Sequence, residues 1–318
     1  MLHEHRFRAM DTDVGVWLWS TAPEHASRVR PLLDWAETCF GRVESELSRF
    51  RGTSGISRLN QAAGRGPQPV SPLLWTVLMS ALDAANDSGG IYDPAQLRTL
   101  ERMGYDRSFA AIGGAPVRRP SAPVPSWGSW RRVALDRAAH AVSLPADLAL
   151  DFGGIAKGWT IDRVARGLAP LGPVLVDAGG DLRAIGTLDG EDWPIAVQDP
   201  FEPERDRAIV RLSDGALATS SIGGRRWRCG DAVLHHAIDP RTGTAARSGL
   251  HSVTVWAPTA MRADVAAKVV LVLGAAAGAT YLLERGLSGW LTSEQGAETE
   301  VGKSRVEPMG RHAPLPSA

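Results

Sequence analysis

The stretch Leu150 to Trp159 carries Asp151, the pair Gly153-Gly154 and Lys157 where an apolar run ends and a helical pattern begins. A glycine-rich turn at such a place aims free backbone N–H groups and the positive end of a helix at whatever lies in front, which suits a phosphate. The Walker spacing is absent, and taken alone the pair also reads as an ordinary tight turn, with Lys157 a first-turn lysine. A second pair, Gly179-Gly180, lies between Asp177 and Asp181 and joins two apolar runs. It is either a plain β-turn or a backbone platform that a planar ligand or phosphate can approach closely, which only glycine permits.

The run His235 to Gly243 sets two histidines ahead of a Pro-containing turn. Imidazole titrates near neutrality and can act as a general base. Side chains alternate along a strand, so the two histidines point opposite ways; His235 reads as structural and His236 as the candidate base. Further on, Asp264 falls in an apolar helical run, where a lone carboxylate needs a metal or another cation. Lys268, four residues later, has the favourable i, i+4 orientation, so an ordinary salt bridge also accounts for both residues.

These groups need elements to position them. Asp13 to Ser20 alternates as a strand, and Ala22 to Ser48 repeats apolar residues at helical spacing. A second amphipathic helix runs from Pro72 to Ser88, with Ser71 as N-cap and Gly89-Gly90 as its stop. Gly113 to Ser129 is rich in proline, glycine and serine and reads as a loop between halves. Strands dominate after it: 132–136, 141–144, 174–177, 181–186, 193–198, 208–212, 235–238 and 252–257, interrupted by helices over 155–168 and 260–273. The expectation is an α+β fold, with mixed β-sheets and packed helices, over residues 1–294 and a subdomain boundary near 113–129. Residues 295–318 read as a flexible tail.

Composition narrows the function. Lys plus Arg and Asp plus Glu each total 35, which leaves no basic field for a phosphodiester backbone and speaks against nucleic acid. Two cysteines, Cys39 and Cys229, give neither a disulfide framework nor a zinc spacing. The charged start Met1 to Arg6 lacks a signal-peptide core, and no lipobox follows, so a cytoplasmic location is expected. The most apolar stretch, Val265 to Ala279, is interrupted by Lys268 and two glycines and reads as a packed helix rather than a membrane span.

In order and approximate spacing these blocks resemble the ApbE family of flavin transferases, across nearly the whole chain to about Gly274. Ala9-Met10-Asp11-Thr12 resembles the family's N-terminal Ala-Met-Gly-Thr signature. Leu47 to Phe50 with Ile56 to Asn60, then Ile91 to Pro94 and Met103 to Tyr105, are similar to the segments that follow it.

The resemblance implies a two-subdomain α+β architecture. It also implies an enzyme that moves the FMN part of FAD to a Ser or Thr hydroxyl of an acceptor flavoprotein, with Mg²⁺ assisting and AMP leaving. Met10, Phe50, Met103, Gly104, Tyr105, Asp151 and Lys157 would then line the FAD site beside Gly179 and Gly180, and the strand with His236 and Ile238 would close it. The Gly154 carbonyl and the Asp264 carboxylate would hold Mg²⁺, an oxygen set that suits a hard cation. His236 would take the acceptor's proton, with Asp239 as second choice.

The pattern departs at two places. Lys268 stands where the family has a metal-binding Thr or Ser, and a protonated ammonium cannot ligate Mg²⁺. Asp11 stands where the family has Gly. Hydrolysis of FAD to FMN and AMP, and flavin binding without turnover, are the alternatives that share these residues.

Overall fold

The alternating N-terminal residues His3 to Arg8 are used as an edge strand, β1 (Leu2–Ala9). The computed structural model describes residues 1–20, 26–112, 124–229, 232–303 and 306–308. β1 turns into β2 (Thr12–Trp19) through Met10 and Asp11, both left-handed at φ 53° and 61°. Two such residues between the paired Ala9 and Thr12 make a type I′ hairpin, whose twist matches that of the strands. β3 (Val174–Ala178) and β4 (Asp181–Ile185) are joined in the same manner by Gly179 and Gly180, at φ 63° and 85°.

Four further strands complete a main sheet of eight, in which spatial order follows sequence order. They are β5 (Gly215–Ser221), β6 (Leu250–Ala257), β7 (Ser288–Ser293) and β8 (Glu298–Val301). The α+β character is the one expected from sequence, but the expected mixture of strand directions gives way to antiparallel pairing in every described pair of this sheet. Because β2 pairs with β3, the two hairpin turns lie side by side, and the Gly179 N–H donates to the Asp13 carbonyl over 3.1 Å.

Helices cover one face of the sheet. They include α1 (Ala26–Leu47), α2 (Gly55–Gln61), α3 (Pro72–Asp87), α4 (Leu97–Arg102), α5 (Ala156–Leu168), α6 (Ala260–Leu273) and α7 (Ala275–Glu284). The period-2 residues Val14, Val16 and Leu18 of β2 and Val174, Val176 and Ala178 of β3 pack into one core with Phe40, Leu78, Ile161 and Val270. Leu175, Leu182, Leu217 and Trp256 point the other way, onto Trp193, Ile195, Val210 and Leu212 of a second sheet built on strands 193–198 and 206–212. A third cluster joins Leu100, Met103 and Tyr105 to Trp227, Cys229 and Ile238.

Several expectations are sharpened. Ser71 caps α3 by accepting the Leu74 N–H, and Gly90, at φ 83°, returns its N–H to the Ala85 carbonyl. The apolar stretch 265–279 divides between α6 and α7 at Gly274, and no described helix is long and apolar enough to cross a membrane. The strand expected over 235–238 is broken. Ala232–His235 ends a hairpin with Arg226–Cys229, Ile238–Asp239 pairs with Thr244–Ala245, and His236 lies between them. The tail expected from residue 295 instead supplies β8, paired with β7. Residues 113–123 of the expected boundary, and 304–305 and 309–318 of that tail, lie outside the described residues.

Candidate active site

Phe152 ends an apolar run, and the turn Gly153-Gly154 delivers the chain to Ile155, the N-cap of α5. That cap has no side-chain acceptor; the Ala156 N–H donates instead to the Phe152 carbonyl at 2.9 Å, and the Gly158 N–H is directed at Asp264. The turn is tied down at its start. Asp151 Oδ1 accepts the Gly153 N–H at 2.5 Å, and the Asp151 N–H donates to the Pro94 carbonyl at 2.8 Å.

Asp151 Oδ2 lies 2.7 Å from Nε of Arg49, whose side chain is only 7% exposed. The guanidinium stacks over the Phe50 ring at 4.2 Å and the Tyr105 ring at 4.4 Å, and Nη1 donates to the Tyr105 carbonyl. Its Nη2 is buried with no partner. Met103, Gly104 and Tyr105 are held as a unit. Gly104 adopts φ 91°, the Tyr105 N–H returns to the Leu100 carbonyl, and the Met103 carbonyl accepts Trp227 Nε1–H. Phe50 is half exposed and the buried Tyr105 packs beside it, their centroids 5.9 Å apart.

Lys157, in the first turn of α5, reaches across to the β3–β4 hairpin. Its Nζ is 2.5 Å from Asp181 Oδ2 and 3.2 Å from the Ala178 carbonyl. Burial pulls this ammonium's pKa down, but the carboxylates of Asp181 and Asp264 outweigh that and leave it raised. The hairpin itself is asymmetric. A Cβ at Gly179 would collide with Thr12 Oγ1, whereas one at Gly180 would meet nothing within 4 Å. Met10 sits in the adjacent turn, its N–H donated to Glu44 Oε2 at 2.9 Å.

Asp264 lies in the second turn of α6, 7% exposed, with Oδ2 buried and unpartnered. Burial first, then the Asp181 carboxylate, push its pKa up to about 6 against the pull of Lys157 and Lys268. The i, i+4 salt bridge expected from sequence is absent. Lys268 forms no ion pair or hydrogen bond among the described residues; it turns its Nζ onto Gly154, where a Cβ would coincide with it. The glycine is what makes room for the lysine. Nζ also lies 5.9 Å from the ring of Tyr92, whose hydroxyl is buried without a partner.

His236 and His235 separate as the alternation predicts. His235 is buried and its Nε2 meets the Ala246 carbonyl at 3.0 Å. His236 faces the site: burial first, then Lys268 and Arg225, hold its pKa down at about 3, so the ring is neutral, and its Nδ1 has no partner. Asp239 is not placed as a base. Arg241 grips both its oxygens at 2.9 and 2.8 Å and donates its N–H as well, which makes the pair a turn clamp. Ile238, 8% exposed, packs in one cluster with Tyr105 and Met103.

Sequence reasoning left Arg49, Tyr92 and Asp162 out of the site. The first two lie inside segments that carried the resemblance, and that was the available signal. Asp162 supplies position rather than chemistry. Its carboxylate accepts the Ala260 and Met261 N–H groups at 2.9 and 3.0 Å, capping the helix that bears Asp264, and pairs with Arg183 of β4 at 2.8 Å. It thereby locks α5, α6 and β4 together.

The model of the ApbE family matches residues 10–290. The chain is 31% identical over 269 residues to a FAD:protein FMN transferase of Treponema pallidum, covering 78% of this chain and 73% of that protein. It is 29% identical over 290 residues to the FAD:protein FMN transferase of Salmonella typhimurium, covering 88% and 82%. Among solved structures, the ApbE protein of Thermotoga maritima superposes with a TM-score of 0.84 at 26% identity, over 95% of this chain and 97% of that one. The apo flavinyl transferase ApbE of Pseudomonas stutzeri shares the fold, with a TM-score of 0.78 at 23% identity over 95% of each chain. The chain belongs to the ApbE family.

Proposed function

We propose that this ApbE-family chain transfers the FMN part of FAD to a Ser or Thr hydroxyl of an acceptor protein through a phosphodiester bond, releasing AMP. One observation carries the reading. Asp264 Oδ2, His236 Nδ1, Tyr92 Oη and Arg49 Nη2 are all buried without protein partners around one glycine turn and two lysines. Each such atom costs about 1–3 kcal/mol when left unpaired, and a fold that collects them at one place is built for an occupant. The names of the similar proteins supply the chemistry.

In this reading Met10, Phe50, Met103, Gly104, Tyr105, Asp151 and Lys157 bound the flavin dinucleotide. Gly179-Gly180 forms an open platform, and His236 with Ile238 closes the site. The half-exposed ring of Phe50, backed by Tyr105, suits a planar ring. Lys157 and Lys268 supply positive charge to a pyrophosphate, and the fold orients the reactants rather than forming bonds to them. His236 keeps its Nδ1 lone pair free at neutral pH and takes the attacking hydroxyl's proton. An anionic ligand beside Lys268 offsets that cation and makes the imidazole more basic when substrate is bound.

Mg²⁺ belongs to the same proposal. The unpartnered, buried Asp264 Oδ2 fits a hard cation, and the Gly154 carbonyl would be the second donor. Bound there, Mg²⁺ would draw charge from the phosphorus under attack and from the departing AMP. Lys268 adds charge but no ligand.

The partner is a protein with an accessible Ser or Thr, and the expected cytoplasmic location stands with this proposal, tested by cell fractionation. The reaction is tested by incubating the purified chain with FAD and Mg²⁺, with and without such an acceptor, and separating the products. Transfer requires AMP release that depends on the acceptor. Acceptor-independent release of free FMN and AMP would make the chain a hydrolase, and FAD held without turnover would make it a binding protein.

A further inference from the structure

Lys268 is a half-buried cation without an ion-pair or hydrogen-bond partner among the described residues. Its Nζ rests on Gly154, close to an unpartnered carboxylate oxygen of Asp264, an unpartnered Tyr92 hydroxyl and an unpartnered His236 nitrogen. No carboxylate among the described residues comes within ion-pair distance of it, whereas the other lysine of the site, Lys157, is paired with Asp181. A partly desolvated ammonium is best completed by an anion, and the described residues supply none at ion-pair distance.

From this arrangement we infer that Lys268 is a built-in cation for the pyrophosphate of FAD, so that FAD binds this chain without a divalent ion and Mg²⁺ binds the free site only weakly. The inference rests on the flavin reading above and deepens it. Both of its halves follow from position. An ammonium seated on Gly154, in the turn that leads into α5, attracts an anionic ligand that enters there. The same charge, seated on Gly154 and interacting with Asp264, repels a dication from that pair. Lys157 contributes less, because its charge is shared with Asp181.

The test compares the full chain with Lys268→Thr, which offers a hydroxyl, and Lys268→Met, which keeps the length and removes the charge. Circular dichroism and melting temperature confirm that each variant is folded. FAD binding is followed by flavin fluorescence in EDTA and in excess Mg²⁺, and Mg²⁺ binding without FAD by calorimetry.

The wild-type Kd for FAD is expected to change less than about twofold between EDTA and Mg²⁺. Both variants should lose about tenfold or more of their FAD affinity in EDTA. Mg²⁺ should restore it in Lys268→Thr, which should also bind Mg²⁺ more tightly than wild type when FAD is absent. Wild-type FAD binding that requires Mg²⁺, or a Lys268→Met affinity equal to wild type in EDTA, overturns the role of Lys268 and leaves the flavin reading intact. Failure of every form to bind FAD under either condition overturns both.

Discussion

Lys157 Nζ lies 2.5 Å from Asp181 Oδ2, so the first turn of α5 and the hairpin between β3 and β4 are joined by an ion pair whose carboxylate is almost wholly buried. Asp181 Oδ1 also accepts the Thr219 N–H at 3.1 Å, which carries the link into β5. Lys157→Met should therefore cost about 3 kcal/mol of stability in urea unfolding, because it strands a buried carboxylate. Lys157→Met with Asp181→Asn removes the stranded charge and should recover most of that loss without recovering FAD affinity. Recovery of both would make the pair purely structural.

Arg49 does for Asp151 what Lys157 does for Asp181. Replacing it with Met removes the cation 2.7 Å from Asp151 Oδ2 and the plane that lies over Phe50 and Tyr105. FAD affinity should fall about tenfold or more, with Arg49→Lys intermediate, since an ammonium keeps the charge but not the fork. An unchanged Kd in Arg49→Met would exclude this residue from the flavin site.

His236 predicts two behaviours with pH. In the free protein its imidazole stays unprotonated down to about 3, so kcat/KM for transfer should show no decline centred on the ordinary histidine value of 6.5. Stability follows with the opposite emphasis. The folded pKa lies below the unfolded one, so the unfolded state binds the proton first and stability falls as pH drops from 6.5 toward about 3. His236→Asn should make that acid slope shallower by one proton. His236→Ala should lower the transfer rate about a hundredfold or more, whereas Asp239→Asn should act mainly on the stability of its turn. A His236→Ala variant at full rate would remove the role of base.

The two glycines of the second hairpin should respond differently. Gly180→Ala meets only the strain of a left-handed backbone, about 1 kcal/mol. Gly179→Ala adds the collision with Thr12 and should cost more, roughly 2–3 kcal/mol. If Gly180 is the platform a ligand approaches, its Ala variant loses FAD affinity while remaining folded. Equal stability losses at the two positions would contradict the packing described here.

Much of this arrangement was legible in the sequence because it is local. The Ser71 cap, the Gly89-Gly90 stop, the Gly153-Gly154 turn ahead of a helix and the opposite facing of His235 and His236 each depend on neighbours a few residues away. What escaped depends on distant partners. Asp151 meets Arg49, Lys157 meets Asp181, and Asp162 caps a helix 98 residues away, choices that only the order of strands in the sheet decides. β1 was overlooked because its charged residues suit an edge strand and carry no apolar signal. The Asp264–Lys268 spacing misled for the converse reason: helical geometry allowed the pair, but the absence of a side chain at Gly154 gave Lys268 another place to go.

The most direct measurement is the intact mass of an acceptor protein after incubation with this chain, FAD and Mg²⁺, with AMP quantified in the same reaction. The account predicts one FMN-sized increment, mapped by fragmentation to a Ser or Thr, with AMP in equal amount and both lost in His236→Ala. AMP and free FMN with an unmodified acceptor would contradict it.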